Sequence, residues 1–169
     1  MKLRLSFRPA LLLTLFCATA GAQQNAADTS APAWTESDLH LPAAPLKNNL
    51  LSFYVSPIAT LNFAVDAKSV SVEQDEVVRF TLVTTSSAGA TNISYEGIRC
   101  ETGEKKFYAF GQTDGSWAAA RRDSWEPIRE SGANRQYAAL ALDYFCLDGR
   151  VAGKATAIVE RLRRQKTLK

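Results

Sequence analysis

Between residues 77 and 128 the chain alternates apolar and polar positions in short runs, each broken by turn residues. VVRFTLVTT (77–85) and NISYEGIRC (92–100) keep a period of two, which sends successive side chains to opposite faces of a strand. Residues 105–111 form an aromatic-rich run, and a shorter one opens at Trp117. Thr102-Gly103 and Asp114-Gly115 separate these runs. Asp-Gly between two strands is a strong hairpin signal, because Gly accepts the positive φ of a tight turn. The pattern predicts a three-strand meander, with residues 77–85 as a fourth strand joined through the Ser/Gly-rich linker 86–90. Upstream, LLSFYV (50–55), LNFAV (61–65) and SVSVE (69–73) read as further strands, with Pro57 at a bend because it cannot donate to a ladder.

Phase sorts the side chains. Val78, Phe80 and Leu82 share a side with Glu96, Ile98 and Cys100, and this is the expected core side. Val77, Arg79, Thr81, Val83, Tyr95, Gly97 and Arg99 are then expected to face outward. Glu96 is an acid in phase with the apolar set. A carboxylate there needs a partner or a raised pKa, and a half-solvated strand end is the alternative to a functional role.

After Ile128 the period changes. In NRQYAALALDYF (134–145), Tyr137, Leu140, Ala141 and Tyr144 fall on one helical face, with Asn134 as a candidate N-cap and Asp148-Gly149 as a stop. The predicted fold is α+β: a mostly antiparallel sheet of about five to seven short strands packed by one helix near the C-terminus. Residues 150–169 carry a thin stripe of Val151, Ala155, Ile158 and Leu162. The segment reads as a basic tail, a second helix being one form and a solvated or frayed tail the favoured one.

The N-terminus reads as an export signal. Lys2, Arg4 and Arg8 precede an apolar stretch, and Ala20-Gly21-Ala22 has the small-x-small pattern, so cleavage is expected after Ala22. A lipid anchor on Cys17 is not expected, since bulky Phe16 precedes it. Residues 23–33 read as a flexible leader, residues 34–149 as the domain and 150–169 as the tail. WTESDLHL (34–41) is expected to lie over the domain with Trp34 as anchor. His40, the one histidine, falls in this segment, which weakens any Ser-His-Asp or multi-histidine metal proposal.

Charge refines this. The chain has 20 basic and 17 acidic residues, but the expected signal removes three bases, leaving 17 of each. Residues 150–169 hold seven bases and one acid, so the body is acidic and the tail basic. Nucleic acid is therefore not an expected partner. Cys100 and Cys146 remain as an even pair in an oxidising compartment, for which one disulfide is the simplest reading. It would stabilise by about 4 kcal/mol in the chain-entropy model. A metal on the two thiolates is the alternative, with no nearby His and no Cys-x-x-Cys spacing to favour it.

Together, VVRFTLV (77–83), NISYEGIRC (92–100), YAFGQTDGSW (108–117), the Trp-bearing segment 121–128 and DYFC (143–146) resemble the cryptic neisserial protein family of small exported proteobacterial proteins. The resemblance runs over residues 34–149. It implies an envelope location and a disulfide-compatible cysteine pair, and it carries no catalytic residue and no cofactor.

Two functional readings compete. The first is a non-catalytic binding or assembly module of the periplasm with an envelope protein partner. Its candidate surface is Arg79, Tyr95, Arg99, Trp117, Arg121 and Trp125, with Glu96, Tyr108 and Arg122 beside them, because aromatic and guanidinium groups are enriched at interfaces. The second is a hydrolase pairing Glu96 with Asp114 or Asp123. No nucleophile elbow, zincin helix or phosphate loop is present. A third, structural role would use residues 150–169 against anionic lipid or cell wall.

Overall fold

The computed structural model describes residues 33–132 and 134–168. The expected signal peptide (1–22), and all but the last residue of the expected leader (23–33), lie outside the described residues.

The meander forms as its turn residues require. Strands β1 (Leu50–Ser52), β2 (Leu61–Asp66), β3 (Ser71–Val72), β4 (Val77–Ser86), β5 (Thr91–Arg99), β6 (Glu104–Gly111), β7 (Trp117–Ala119) and β8 (Glu126–Pro127) build one eight-stranded antiparallel sheet. Its spatial order is β1-β2-β4-β5-β6-β7, with β3 beside β4 and β8 beside β6. Gly115 sits at φ +84° in the β6 to β7 turn, which the Gln112 N–H closes by donating to the Ser116 carbonyl at 2.8 Å.

The helical layer covers one face. Helix α1 (Arg135–Ala139) runs on as a π-helical segment (Leu140–Phe145), followed by a small hairpin of β9 (Cys146–Leu147) and β10 (Arg150–Val151) and then helix α2 (Ala155–Arg163). Asn134 precedes α1, but its side chain makes no capping bond. Val78, Phe80, Leu82, Ile98 and Cys100 form a core with Tyr137, Leu140, Ala141, Tyr144 and Phe145, as their phase requires. The disulfide of Cys100 and Cys146, with Cα atoms 5.5 Å apart, ties the end of the π-helical segment to the end of β5.

Two expectations are corrected. Residues 150–168 are not a solvated tail, because α2 buries Ile158 and Leu162 in the core. Its Arg161 donates to the Ala152 carbonyl at 2.7 Å and to the Tyr144 carbonyl. The stripe that a membrane-surface helix would present is thus turned inward, because β1 and the π-helical segment offer it an apolar seat. The supposed outward face is also buried: Val77, Arg79, Thr81, Val83 and Tyr95 all lie beneath other groups. Alternation tells which residues share a side and is silent on what covers that side.

A bulge in β6 offsets the two faces. Tyr95 pairs with Ala109 and Glu96 with Phe107, so Tyr108 is the extra residue. Phe107 and Phe110 consequently share the helix side, while Tyr108 and Ala109 share the other. Tyr108 lies across Gly97, where an added Cβ would sit 2.6 Å from the tyrosine hydroxyl, so only glycine admits the ring.

Leu162→Ala is expected to cost about 2–5 kcal/mol in urea unfolding. Arg163→Ala, at an exposed ion pair on the same helix, is expected to cost well under about 1 kcal/mol.

Candidate functional site

Five of the expected site residues meet on the sheet face opposite the helices, around a strap formed by residues 34–42. Arg79 is 2% exposed and donates through both terminal nitrogens to Asp75, at 3.1 and 2.5 Å. Asp75 also accepts from the Ser37 amide at 2.8 Å and the Val77 amide at 3.2 Å, and its own carbonyl accepts from the Trp34 indole at 3.0 Å. Strap residue Glu36 accepts from the Tyr108 hydroxyl at 2.6 Å and from Lys106 at 2.9 Å, with Arg79 3.7 Å away. The Arg99 guanidinium stacks 3.9 Å from the Trp34 ring, and Trp125 meets Trp34 edge-on at 6.1 Å. Tyr95 lies 6.1 Å from Trp117, whose indole donates to the Pro42 carbonyl at 2.7 Å. The composition of an interface is present here, and the chain's own strap occupies it.

Burial pushes the Asp75 carboxyl upward, but Arg79 and the Ser37 and Val77 amides outweigh it and hold the group below its ordinary value of 3.8. Burial pushes the Arg79 guanidinium downward, but the hydrogen bonds to Asp75 and the charges of Tyr108, Asp75 and Glu36 outweigh it and raise the group. This pair is consequently ionised throughout the neutral range.

Glu96 lies on the other face, 1% exposed, so it does not join the strap cluster. Ser94 and Tyr137 donate to its Oε1, the latter at 3.3 Å, while Oε2 has no partner among the described residues. Burial pushes its pKa from 4.5 up to about 7, with Ser94, Tyr137 and the charge of Lys105 partly offsetting. The paired carboxylates do not assemble. Asp114 is exposed and holds its own turn by accepting from the Ser116 amide and hydroxyl, at 2.9 and 2.6 Å. Asp123 pairs with Lys106, on the face opposite Glu96.

Arg121 and Arg122 stand apart from the strap, at the rim of a groove of about 490 Å³ on the helix side. Its floor is Phe107 and Phe110, stacked with ring centroids 5.4 Å apart. Phe110 stays 42% exposed for two reasons. The helical layer reaches only as far as Tyr137, which meets Phe107 edge-on at 6.1 Å, and the edge-strand residue opposite Phe110 is the small Ala118. Lys105 closes the inner end by donating to Glu126 at 2.9 Å, and Arg122 lies 3.9 Å from the same carboxylate. Phe107, Phe110 and Ala118 are absent from the expected site. Their spacing gives no signal: aromatics three residues apart fall on opposite faces of an unbroken strand, and only the bulge at Tyr108 brings Phe107 and Phe110 to one side. A second groove, of about 410 Å³, lies between Leu61, Phe63 and the start of α1.

The CNP1-like family model matches residues 28–163. The chain belongs to the CNP1-like family. The matched stretch takes in both the strap and α2. Comparison with curated proteins gives no match, and neither does comparison with solved structures. Among the described residues of this CNP1-like chain, no three His, Cys, Asp or Glu side chains converge as metal ligands, and His40 is exposed on the strap. No described helix is long and apolar enough to cross a membrane.

Two outcomes are expected. Asp75→Ala leaves buried Arg79 with only the Glu36 carboxylate, 3.7 Å away, and removes the anchor of the Ser37 amide, so it should cost about 3–5 kcal/mol in urea unfolding at neutral pH. Because the folded pKa of Asp75 is depressed, its stabilisation is present above the ordinary carboxylate value and is lost as pH falls through the folded one, so the variant's acid limb should be shallower. Glu96 has the opposite sign. Its raised folded pKa gives stability that is full below about 4.5 and declines as pH rises towards about 7, by about 3 kcal/mol in all. Glu96→Gln should flatten that decline, leaving the variant more stable than the parent at about pH 8 but not at about pH 4.

Proposed function

We propose that this CNP1-like protein is a non-catalytic binding module of the cell envelope whose recognition site is the groove over Phe107 and Phe110. The observation that carries the reading is the exposed aromatic stack beside Arg121 and Arg122. Apolar surface left open next to the guanidinium groups of Arg121 and Arg122, of which Arg122 has only a solvent-exposed ion pair with Glu126, favours a partner that brings both an apolar side chain and an acid. The groove volume lies within the roughly 300–1,000 Å³ range of ligand sites. The strap face carries the more interface-like composition, but its aromatics and cations already have partners within the chain. Export is supported by the N-terminal sequence pattern and is consistent with the disulfide, since such bonds persist in oxidising compartments. The hydrolase reading draws no support from this geometry, as its acids lie apart.

The occupant is an acidic, apolar segment of an envelope polypeptide. A photo-crosslinking residue in place of Ala118, in full-length protein expressed in its native envelope, is expected to capture such a segment, identified by mass spectrometry of the adduct. Arg121→Glu with Arg122→Glu should reduce the yield by about tenfold or more, because the charge complement is reversed. Capture that persists unchanged in the reversed variant, or capture only from a probe at exposed Leu147, would overturn the reading.

A further inference from the structure

We infer that the outer edge of β7 is a strand-addition site, at which an extended peptide pairs with Trp117 and Ala119 and sets one large apolar side chain over Phe110. The inference rests on the groove being the recognition site and states how a partner would enter it.

Hydrogen-bond parity decides which backbone groups face outward. The Gln112 amide donates to the Ser116 carbonyl and the Ala120 amide to the Tyr108 carbonyl, so the bonded pairs between β6 and β7 fall on even-numbered residues. In an antiparallel ladder, bonded and non-bonded pairs alternate. Ala118 therefore directs its N–H and C=O to Phe110, while Trp117 and Ala119 direct theirs away from the sheet. Among the described residues no strand pairs with that edge, and Ala118 and Ala119 are exposed. At the opposite edge of the sheet, β1 packs against α2.

Open edges are ordinarily guarded by Lys, Pro or a bulge. β7 is protected by its shortness, at three residues, but Trp117, Ala118 and Ala119 place no charge, proline or bulge on it. A strand added here places the residue opposite Ala118 on the helix side. The small alanine then leaves room for a large side chain to reach Phe110. Side chains two residues along point the same way, which brings an acid towards Arg121 or Arg122. The motif is thus an apolar residue and an acid at a spacing of two, held by backbone bonds. This is the general mode in which main-chain pairing supplies affinity and alternate pockets supply selectivity.

The test selects random peptides on the full chain, then measures synthetic versions of the winners by calorimetry and by amide exchange. The expected peptides carry the apolar and acidic pair, lose about tenfold or more in affinity against Phe110→Ser or the double arginine reversal, and slow exchange at Trp117 and Ala119 by at least about tenfold, leaving Ala118 unchanged. N-methylation of the residues flanking the apolar one should abolish binding, while N-methylation of the apolar residue itself should be tolerated. Peptides that need Phe110 and the arginines yet tolerate every N-methyl group, with no slowing at Trp117 and Ala119, would overturn strand addition and leave the groove as the recognition site. Failure to select any peptide sensitive to Phe110→Ser would overturn both. Protection of the same two amides in free protein, rising with concentration, would assign the edge to a second copy and overturn the inference.

Discussion

One extra residue in β6 determines what each face of the sheet offers. Without the bulge at Tyr108, strict alternation would put Phe110 on the same side as Tyr108 and leave the helix face with Phe107 alone. With it, Tyr108 and Ala109 both turn towards the strap, and Phe107 and Phe110 both turn towards the helices. The strap cluster and the open groove are two results of the same offset. Gly97 makes the offset sterically feasible, since the Tyr108 ring lies where any other residue would carry its Cβ.

The strap face holds charge where a small domain would ordinarily bury hydrocarbon. Arg79, Asp75, Glu36 and Lys106 are linked by ion pairs and enclosed by Trp34, Tyr108 and Trp125. Desolvating such groups consumes most of what their attraction returns, so the cluster adds little net stability beyond what an apolar patch of the same shape would give. What it adds is specificity of placement. A strap with no regular secondary structure is held in one register because Ser37, Glu36 and Trp34 each meet a partner that no neighbouring register supplies.

The groove has a simpler origin. The sheet is wider than the helical layer laid over it, and α1 covers β6 only as far as Tyr137. Beyond that point the edge strand carries alanines, too small to shield Phe110. Cover is thus withdrawn at a place where the ladder also ends and where two arginines follow. Those three circumstances together make the β7 edge, in contrast to the residue-rich strap face, an open apolar surface.

Much of this was legible in the order of residues. Period two in 77–85 and 92–100, the Asp114-Gly115 turn and the helical spacing of Tyr137, Leu140, Ala141 and Tyr144 determine an antiparallel sheet under a helix, because backbone geometry converts spacing directly into sidedness. The pairing of Cys100 with Cys146 followed from there being two cysteines in a segment read as exported. Trp34 as an anchor over the domain was also legible. Strands of two residues, such as β8, are too short to show a period. The burial of Arg79, the inward turn of Ile158 and Leu162, and the exposure of Phe110 were decided by tertiary structure alone. Each depends on which distant segment covers a face and how far that cover extends, and alternation along a strand carries no information about its neighbours across space.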